Sequence, residues 1–234
     1  DRPVSRGLGD VYKRQVLDEI RKDTSLRVLV LSSTGKHFCA GMDLANFGTL
    51  GTGEAKKDNR PDKARIGEGL FRVAMELQEN LTKLEKLRIP VLCGIQGGCI
   101  GGGLDMATAA DIRFASKDAF FCIQEVNIGM AADIGTLQRL PRVVPEGKVR
   151  ELAYTGRRMY AEESLECGLV NKVFETHESM LEGIQEMATE IASKSPLAVY
   201  GTKAVLNFSR DHSIQDGLES VSYTHLRAHE TMVD

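Results

Sequence analysis

Gly97-Gly-Cys-Ile-Gly-Gly-Gly-Leu-Asp105 decides how this chain folds. On one side lies PVLCGIQ (90–96), an apolar run with the look of a buried strand, and on the other LDMATAA (104–110), which reads as a helix. Glycines at the mouth of a helix leave backbone N–H groups free to face a ligand, and the helix dipole favours negative charge there. The same glycines also permit close helix–strand packing, and the segment alone leaves both possibilities open. A phosphate-binding loop is disfavoured because no Lys-Ser/Thr pair follows the glycines. A dinucleotide fingerprint fits poorly too: the spacing differs and the preceding strand lies mid-chain.

Outward from this centre, strand and helix patterns alternate. LRVLVLSS (26–33) reads as a buried strand, preceded by the tail of an amphipathic helix, VLDEIRKD (16–23). Leu70, Val73, Leu77, Leu81, Leu84 and Leu87 recur at spacings of three and four, predicting a helix over 68–88 that ends before Pro90. Strands are predicted at 111–115 and 119–124, and a helix at 133–140. The alternation argues α/β with a mainly parallel sheet. Residues 48–67 carry no stable period and read as a surface insertion. After Pro145 the pattern turns helical (146–155, 161–167, 178–194, 196–208), a smaller helical part packed on the α/β core. Residues 1–15 and 222–234 show no period.

The chain has 234 residues, 42% of them hydrophobic, enough for a sizeable core. Lys and Arg total 30 against 33 Asp and Glu, a net charge of −3 that suits neither nucleic acid nor an anionic membrane as partner. No apolar run approaches the roughly 18 residues of a membrane span. Cys39, Cys93, Cys99, Cys122 and Cys167 are scattered, without C-x-x-C or metal-ligand spacing. Free thiols in a reducing compartment and no metal site are the expectation.

A second turn, His37-Phe-Cys-Ala-Gly-Met-Asp43, follows the 26–33 strand. Small residues there let amides approach a bound carbonyl, and two amides from separate segments aimed at one oxygen form an oxyanion hole. His37 reads as a loop residue. Three carboxylates complete the set. Asp105 falls in the first turn of the glycine-entered helix, a common place for a solvated acid. Glu125 ends the apolar run AFFCIQ (119–124), an odd place for a charge unless it points into a cleft. Asp133 precedes a helical pattern, as an N-cap would. Taken together with the glycine cluster, they suggest paired acid–base chemistry.

HFCAGMDL (37–44), IPVLCGIQGGCIGGGLDMATAADIRFAS (89–116) and FFCIQEVNIGMAADIGTLQRLPRVV (120–144) resemble the enoyl-CoA hydratase/isomerase (crotonase) superfamily. The likeness runs on through TGRRMYAEESLECGLVNKVF and ASKSPLAVYGTKAVLNFSRDHS, covering 16–221. GGGLD, QEV and MAADIGTLQRLP are similar to its Δ3,5-Δ2,4-dienoyl-CoA isomerase branch. An ordinary hydratase of the family carries Glu in place of Asp105, Glu at 125, and usually Gly in place of Asp133.

The resemblance implies a spiral of repeated β-β-α units over 16–145 and a helical C-terminal region over 146–221, here read as truncated. It implies a homotrimer or dimer of trimers for the full-length protein, and the mitochondrial or peroxisomal matrix as its compartment. The amides of Ala40 and Gly102 would hold the thioester oxygen, with Gly41, Met42, Asp43 and Leu44 also contacting the acyl-CoA. Asp133 would take a proton from C2 and Glu125 deliver one to C6, with Asp105 a third acid lining the site. No cofactor is expected, CoA being part of the substrate. An enoyl-CoA hydratase is the alternative, using Asp105 and Glu125 on one water; the shorter Asp105 and the added Asp133 argue against it. A non-catalytic or RNA-binding member is a further alternative, disfavoured by the balanced charge. VSRGLGDVYKRQ and SYTHLRAHET depart from the family pattern, so 1–15 and 222–234 are expected to be non-native, with the family's first strands missing.

Overall fold

The computed structural model describes residues 10–41 and 63–221. At its centre β2 (Val91–Ile95) is flanked by β1 (Leu29–Leu31) and β4 (Ile112–Ser116), and β7 (Lys172–Phe174) extends the sheet beyond β4. All three pairings are parallel, with Leu92 opposite both Val30 and Ile112. A second sheet holds β3 (Gly98–Ile100), β5 (Phe120–Cys122) and β6 (Met159–Tyr160) in that order. The β3–β5 pair is parallel and β5–β6 antiparallel.

At β2–β3, β4–β5 and β6–β7 the chain passes from one sheet to the other. β2 is followed by β3 and then by α3 (Gly102–Ala109), while β4 is followed by β5 and then by helical turns. β1 leads into a segment whose Cys39 bridges Cys99 of β3. This is the β-β-α repeat that the family resemblance implies.

Both faces of β2 are covered, which is why its sequence is a continuous apolar run rather than an alternating one. Val91, Cys93 and Ile95 enter the main core with Leu104, Phe121, Leu140 and Leu169. Leu92 joins Phe114 against Met180 and Ile184 of α7 (His177–Ala192). Each such large side chain contributes on the order of 1.5–3 kcal/mol by leaving water. Gly94 sets the approach: a Cβ there would stand 2.5 Å from the Ile184 side chain. At the opposite end of the sheet, buried Lys203 of α8 (Pro196–Ser209) donates to the Ile89 carbonyl (3.0 Å) and to Asp111 Oδ2 (2.6 Å). The same oxygen accepts the Val91 N–H, so one carboxylate pins α8 to the start of β2.

The structure corrects several sequence expectations. The glycine-rich stretch contains a strand, β3, because Gly98–Ile100 can pair with β5. α1 (Asp10–Lys22) begins within the segment read as aperiodic, since extending a helix already anchored by buried Leu17 costs little. α2 (Lys63–Glu85) likewise takes the last residues of the expected 48–67 insertion. The 133–140 helix is regular only over α4 (Thr136–Arg139), then tightens to a 3₁₀ turn at Leu140–Arg142 around Pro141. The 146–221 region holds α5 (Glu146–Thr155), α6 (Ala161–Glu166), α7 and α8 near their expected places. It also supplies β6 and β7, too short to show a period but able to pair with strands already laid down. Expectations for 1–9 and 222–234 lie outside the described residues.

Candidate active site

Three segments converge at the C-terminal ends of β1 and β2. The first is the turn at Ala40-Gly41. Phe38 N–H donates to the Gln96 carbonyl (2.8 Å), Cys39 N–H to Gly98 (3.0 Å), and Ile100 N–H returns to the Cys39 carbonyl (3.0 Å). This ladder ends at Ala40, which is exposed.

The second is the entry to α3. Gly101 takes φ +53°, reversing the chain so that Gly102 opens the helix. An amide at that position has no intrahelical acceptor. A Cβ on Gly102 would meet nothing within 4 Å, so this side of the helix mouth is open. Gly103 faces the other way: its absent Cβ would lie 2.6 Å from Cys39 Cβ. Glycine at 103 thus lets the helix mouth close onto the Cys39–Ala40 turn, bringing the segments of Ala40 and Gly102 together. Met42, Asp43 and Leu44 lie outside the described residues.

The third segment carries two of the carboxylates. Glu125 opens a 3₁₀ turn (Glu125–Ile128) after β5, and its Oε1 stands 3.0 Å from where a Gly101 Cβ would be. Asn127 holds this turn, donating to the Gly156 carbonyl (2.9 Å) at the end of α5. Asp133 follows on a stretch without regular secondary structure, tied to α2: Gln78 donates to its backbone carbonyl (2.6 Å), and Arg139 pairs with Glu85 (3.1 Å). The Asp133 side chain is exposed, and Gly135, not Asp133, occupies the cap position of α4.

Asp105 takes over part of that capping work from a distance. It is fully buried in α3, and its Oδ1 accepts the Thr136 N–H at the first residue of α4 (2.6 Å). Asp105 is therefore not the solvated helix-start acid that its position alone would allow but an interior carboxylate that joins α3 to α4.

Asp105 Oδ2 and Glu125 Oε2 are both buried without a hydrogen-bond partner. Burial raises the Asp105 pKa, against the hydrogen bonds from Thr136, and the charge of Asp133 raises it further. Burial raises the Glu125 pKa as well, helped by the charges of Asp105 and Asp133. The three acids so form one electrostatic group, with two members whose pKa is raised and one open to solvent. A cleft of about 580 Å³ is walled by Ile123, Val126, Met130, Ala132, Leu137 and Val149, with Glu146 and Arg150 also on its lining and none of the three acids. Val126 and Ala132 adjoin Glu125 and Asp133 in sequence, so the apolar wall and the acids share one segment.

A spiral of β-β-α units with a glycine-entered helix facing a group of acids defines a family: this chain belongs to the enoyl-CoA hydratase/isomerase family, whose profile matches residues 13–231. The human mitochondrial Δ3,5-Δ2,4-dienoyl-CoA isomerase is 42% identical over 227 residues, covering 95% of this chain and 68% of that protein. The peroxisomal Δ3,5-Δ2,4-dienoyl-CoA isomerase of Arabidopsis thaliana is 43% identical, over 89% of this chain and 74% of its own length. Among solved structures, an enoyl-CoA hydratase from Bacillus anthracis superposes with a TM-score of 0.80 at 28% identity, over 92% of this chain and 78% of that one. Among the described residues no helix is long and apolar enough to cross a membrane.

Proposed function

We propose that this chain converts 3,5-dienoyl-CoA thioesters to 2,4-dienoyl-CoA, the reaction named for its isomerase relatives, as a step in fatty-acid β-oxidation. One observation carries the choice over hydration: Glu125, with a buried unpartnered oxygen and a raised pKa, faces the same site as a second acid, Asp133, that is open to solvent. Asp133 as carboxylate removes a C2 proton, and charge moves to the thioester oxygen held by the Ala40 and Gly102 amides. Glu125, protonated, delivers its proton to C6, and the double bonds shift from C3 and C5 to C2 and C4. Losing one such amide typically costs about 3 kcal/mol of transition-state stabilisation. Asp105 fixes the start of α4 and keeps a proton near Glu125. Side chains carry both proton transfers, so the scheme calls for no cofactor beyond the CoA of the substrate. The apolar cleft suits the acyl chain.

The names of the relatives support a mitochondrial or peroxisomal matrix location. Leu197, Tyr200 and Leu206, exposed on α8, support assembly into a homotrimer or dimer of trimers, measurable by sedimentation. The balanced charge supports a protein without a nucleic-acid partner.

The deciding assay follows conjugated-dienoyl absorbance with 3,5-octadienoyl-CoA, beside a crotonyl-CoA hydration control. Asp133→Asn and Glu125→Gln should each abolish isomerisation. Rapid hydration with little isomerisation would overturn the proposal and move the chain to the hydratase branch.

A further inference from the structure

His37 reads as an ordinary loop residue in sequence, yet its ring is built into the packing around the start of β3. Its Nδ1 accepts the N–H of Gly98, the first residue of β3, at 2.9 Å. Gly98 is buried, and an unpaired buried amide is costly, so this bond matters to the strand it starts. The fit is close on every side. A Cβ on Gly97 would stand 2.6 Å from Nδ1 and 2.3 Å from the Lys36 carbonyl oxygen, and Gly97 takes φ +54°. Phe120 of β5 meets the ring edge-on, with centroids 6.2 Å apart. The His37 carbonyl is itself held by Ser33 Oγ (3.1 Å).

Immediately after this anchor come the Phe38 and Cys39 ladder bonds and then Ala40. We propose that His37 is a positioning residue that sets the Ala40 amide by locking the 37–40 segment onto β3, and that it does so in one tautomer, with Nδ1 as acceptor and the proton on Nε2. Its catalytic consequence rests on the acyl-CoA reaction proposed above; the tautomer and the anchor do not. His37 touches no reacting atom in this scheme. It fixes where one of the two oxyanion donors stands, and misplacing such a group by about 1 Å can cost up to about 100-fold in rate.

Nitrogen-15 NMR of the wild-type chain, assigned by comparison with a His37→Asn sample, reads the tautomer directly. Nε2–H is expected, and Nδ1–H overturns the anchor. Steady-state kinetics then compare His37→Ala with His37→Asn, whose side-chain carbonyl can accept the Gly98 N–H. The alanine variant should lose roughly 10- to 100-fold in kcat with little change in KM. It should also lose the red shift that bound 2,4-dienoyl-CoA shows when its carbonyl is polarised, and asparagine should restore most of both. Equal behaviour of the two variants, or a lower melting temperature with kcat and red shift intact, overturns the inference. A wild-type chain that polarises bound dienoyl-CoA but does not isomerise it refutes the functional proposal, while the red-shift comparison still tests His37.

Discussion

Gly103→Ala adds a single methyl group where the two segments proposed to hold the thioester oxygen meet, and the packing there sets its expected consequence. The new Cβ would lie 2.6 Å from Cys39 Cβ and 3.2 Å from its Sγ, against the 3.4 Å at which ordinary contact begins. About 0.8 Å must be found, and neither atom at the closest contact can rotate away, because both are Cβ atoms fixed to backbone. Cys39 is tied on both sides to β3, by its N–H to Gly98 and by its carbonyl to Ile100. The displacement therefore goes into the start of α3 or the Ala40 turn, which parts the two amides. A shift near 1 Å in such a site costs about 100-fold in rate, so kcat with 3,5-octadienoyl-CoA should fall by about that factor. Stability should fall by roughly 1–3 kcal/mol from overpacking. Better helix propensity of alanine returns about 1 kcal/mol. Adding Cys39→Gly removes the opposing Cβ and should recover much of the activity. A Gly103→Ala enzyme within about threefold of wild-type kcat would refute the closure of α3 onto the Ala40 turn as the device that sets the donors.

Other perturbations test the surroundings of the site. Asp105→Ala strands the buried Thr136 N–H and should cost about 1–3 kcal/mol in chemical denaturation, whereas Asp105→Asn keeps an acceptor there. Because its native pKa is raised, Asp105 costs stability as pH climbs from the ordinary carboxylate range through the elevated native value; Asp105→Asn should flatten that fall in a melting-temperature series. Glu163 has the opposite sign. Hydrogen bonds from Arg157 and Lys148 hold its pKa down to about 2, so its stabilisation is present above the ordinary carboxylate range and is lost as pH falls towards 2. Glu163→Gln should remove that part of the acid sensitivity, by a small amount since the pair is partly solvated. Lys203→Met leaves Asp111 and the Ile89 carbonyl without their cation and should destabilise by about 3–5 kcal/mol, read by urea unfolding.

What the sequence discloses of this fold follows the strength of local signals. β2 and α2 announce themselves because a buried parallel strand is an unbroken apolar run and a long amphipathic helix repeats its leucines at spacings of three and four. β6 and β7 carry no such mark: at two and three residues they are strands only because β5 and β4 offer an edge. The carboxylates are visible as residue types in unusual settings, and the family resemblance implies their roles, but the contacts that hold them are not legible. That Asp105 reaches the Thr136 amide depends on α3 and α4 lying side by side, a contact between residues far apart in the chain. Sequence likewise offered Asp133 as a cap, while the fold gives the cap position to Gly135 and leaves Asp133 open to solvent. His37 and Asn127 were illegible for the same reason: each is defined by a backbone group contributed from elsewhere, Gly98 for one and Gly156 for the other.

Glu125 and Asp133 both sit on the connector from β5 to α4, whereas Ala40 and Gly102 belong to two other segments held together by the sheets. These two acids and the amides thus lie on separate segments. Grafting a different connector between Cys122 and Thr136 would exchange the two acids proposed to handle protons while leaving the glycine-entered helix mouth in place. If the proposed reaction holds, a scaffold of this kind could be re-equipped to act on different carbons of an acyl chain, with Asp105 as the peg onto which such a connector must fit its first helical amide.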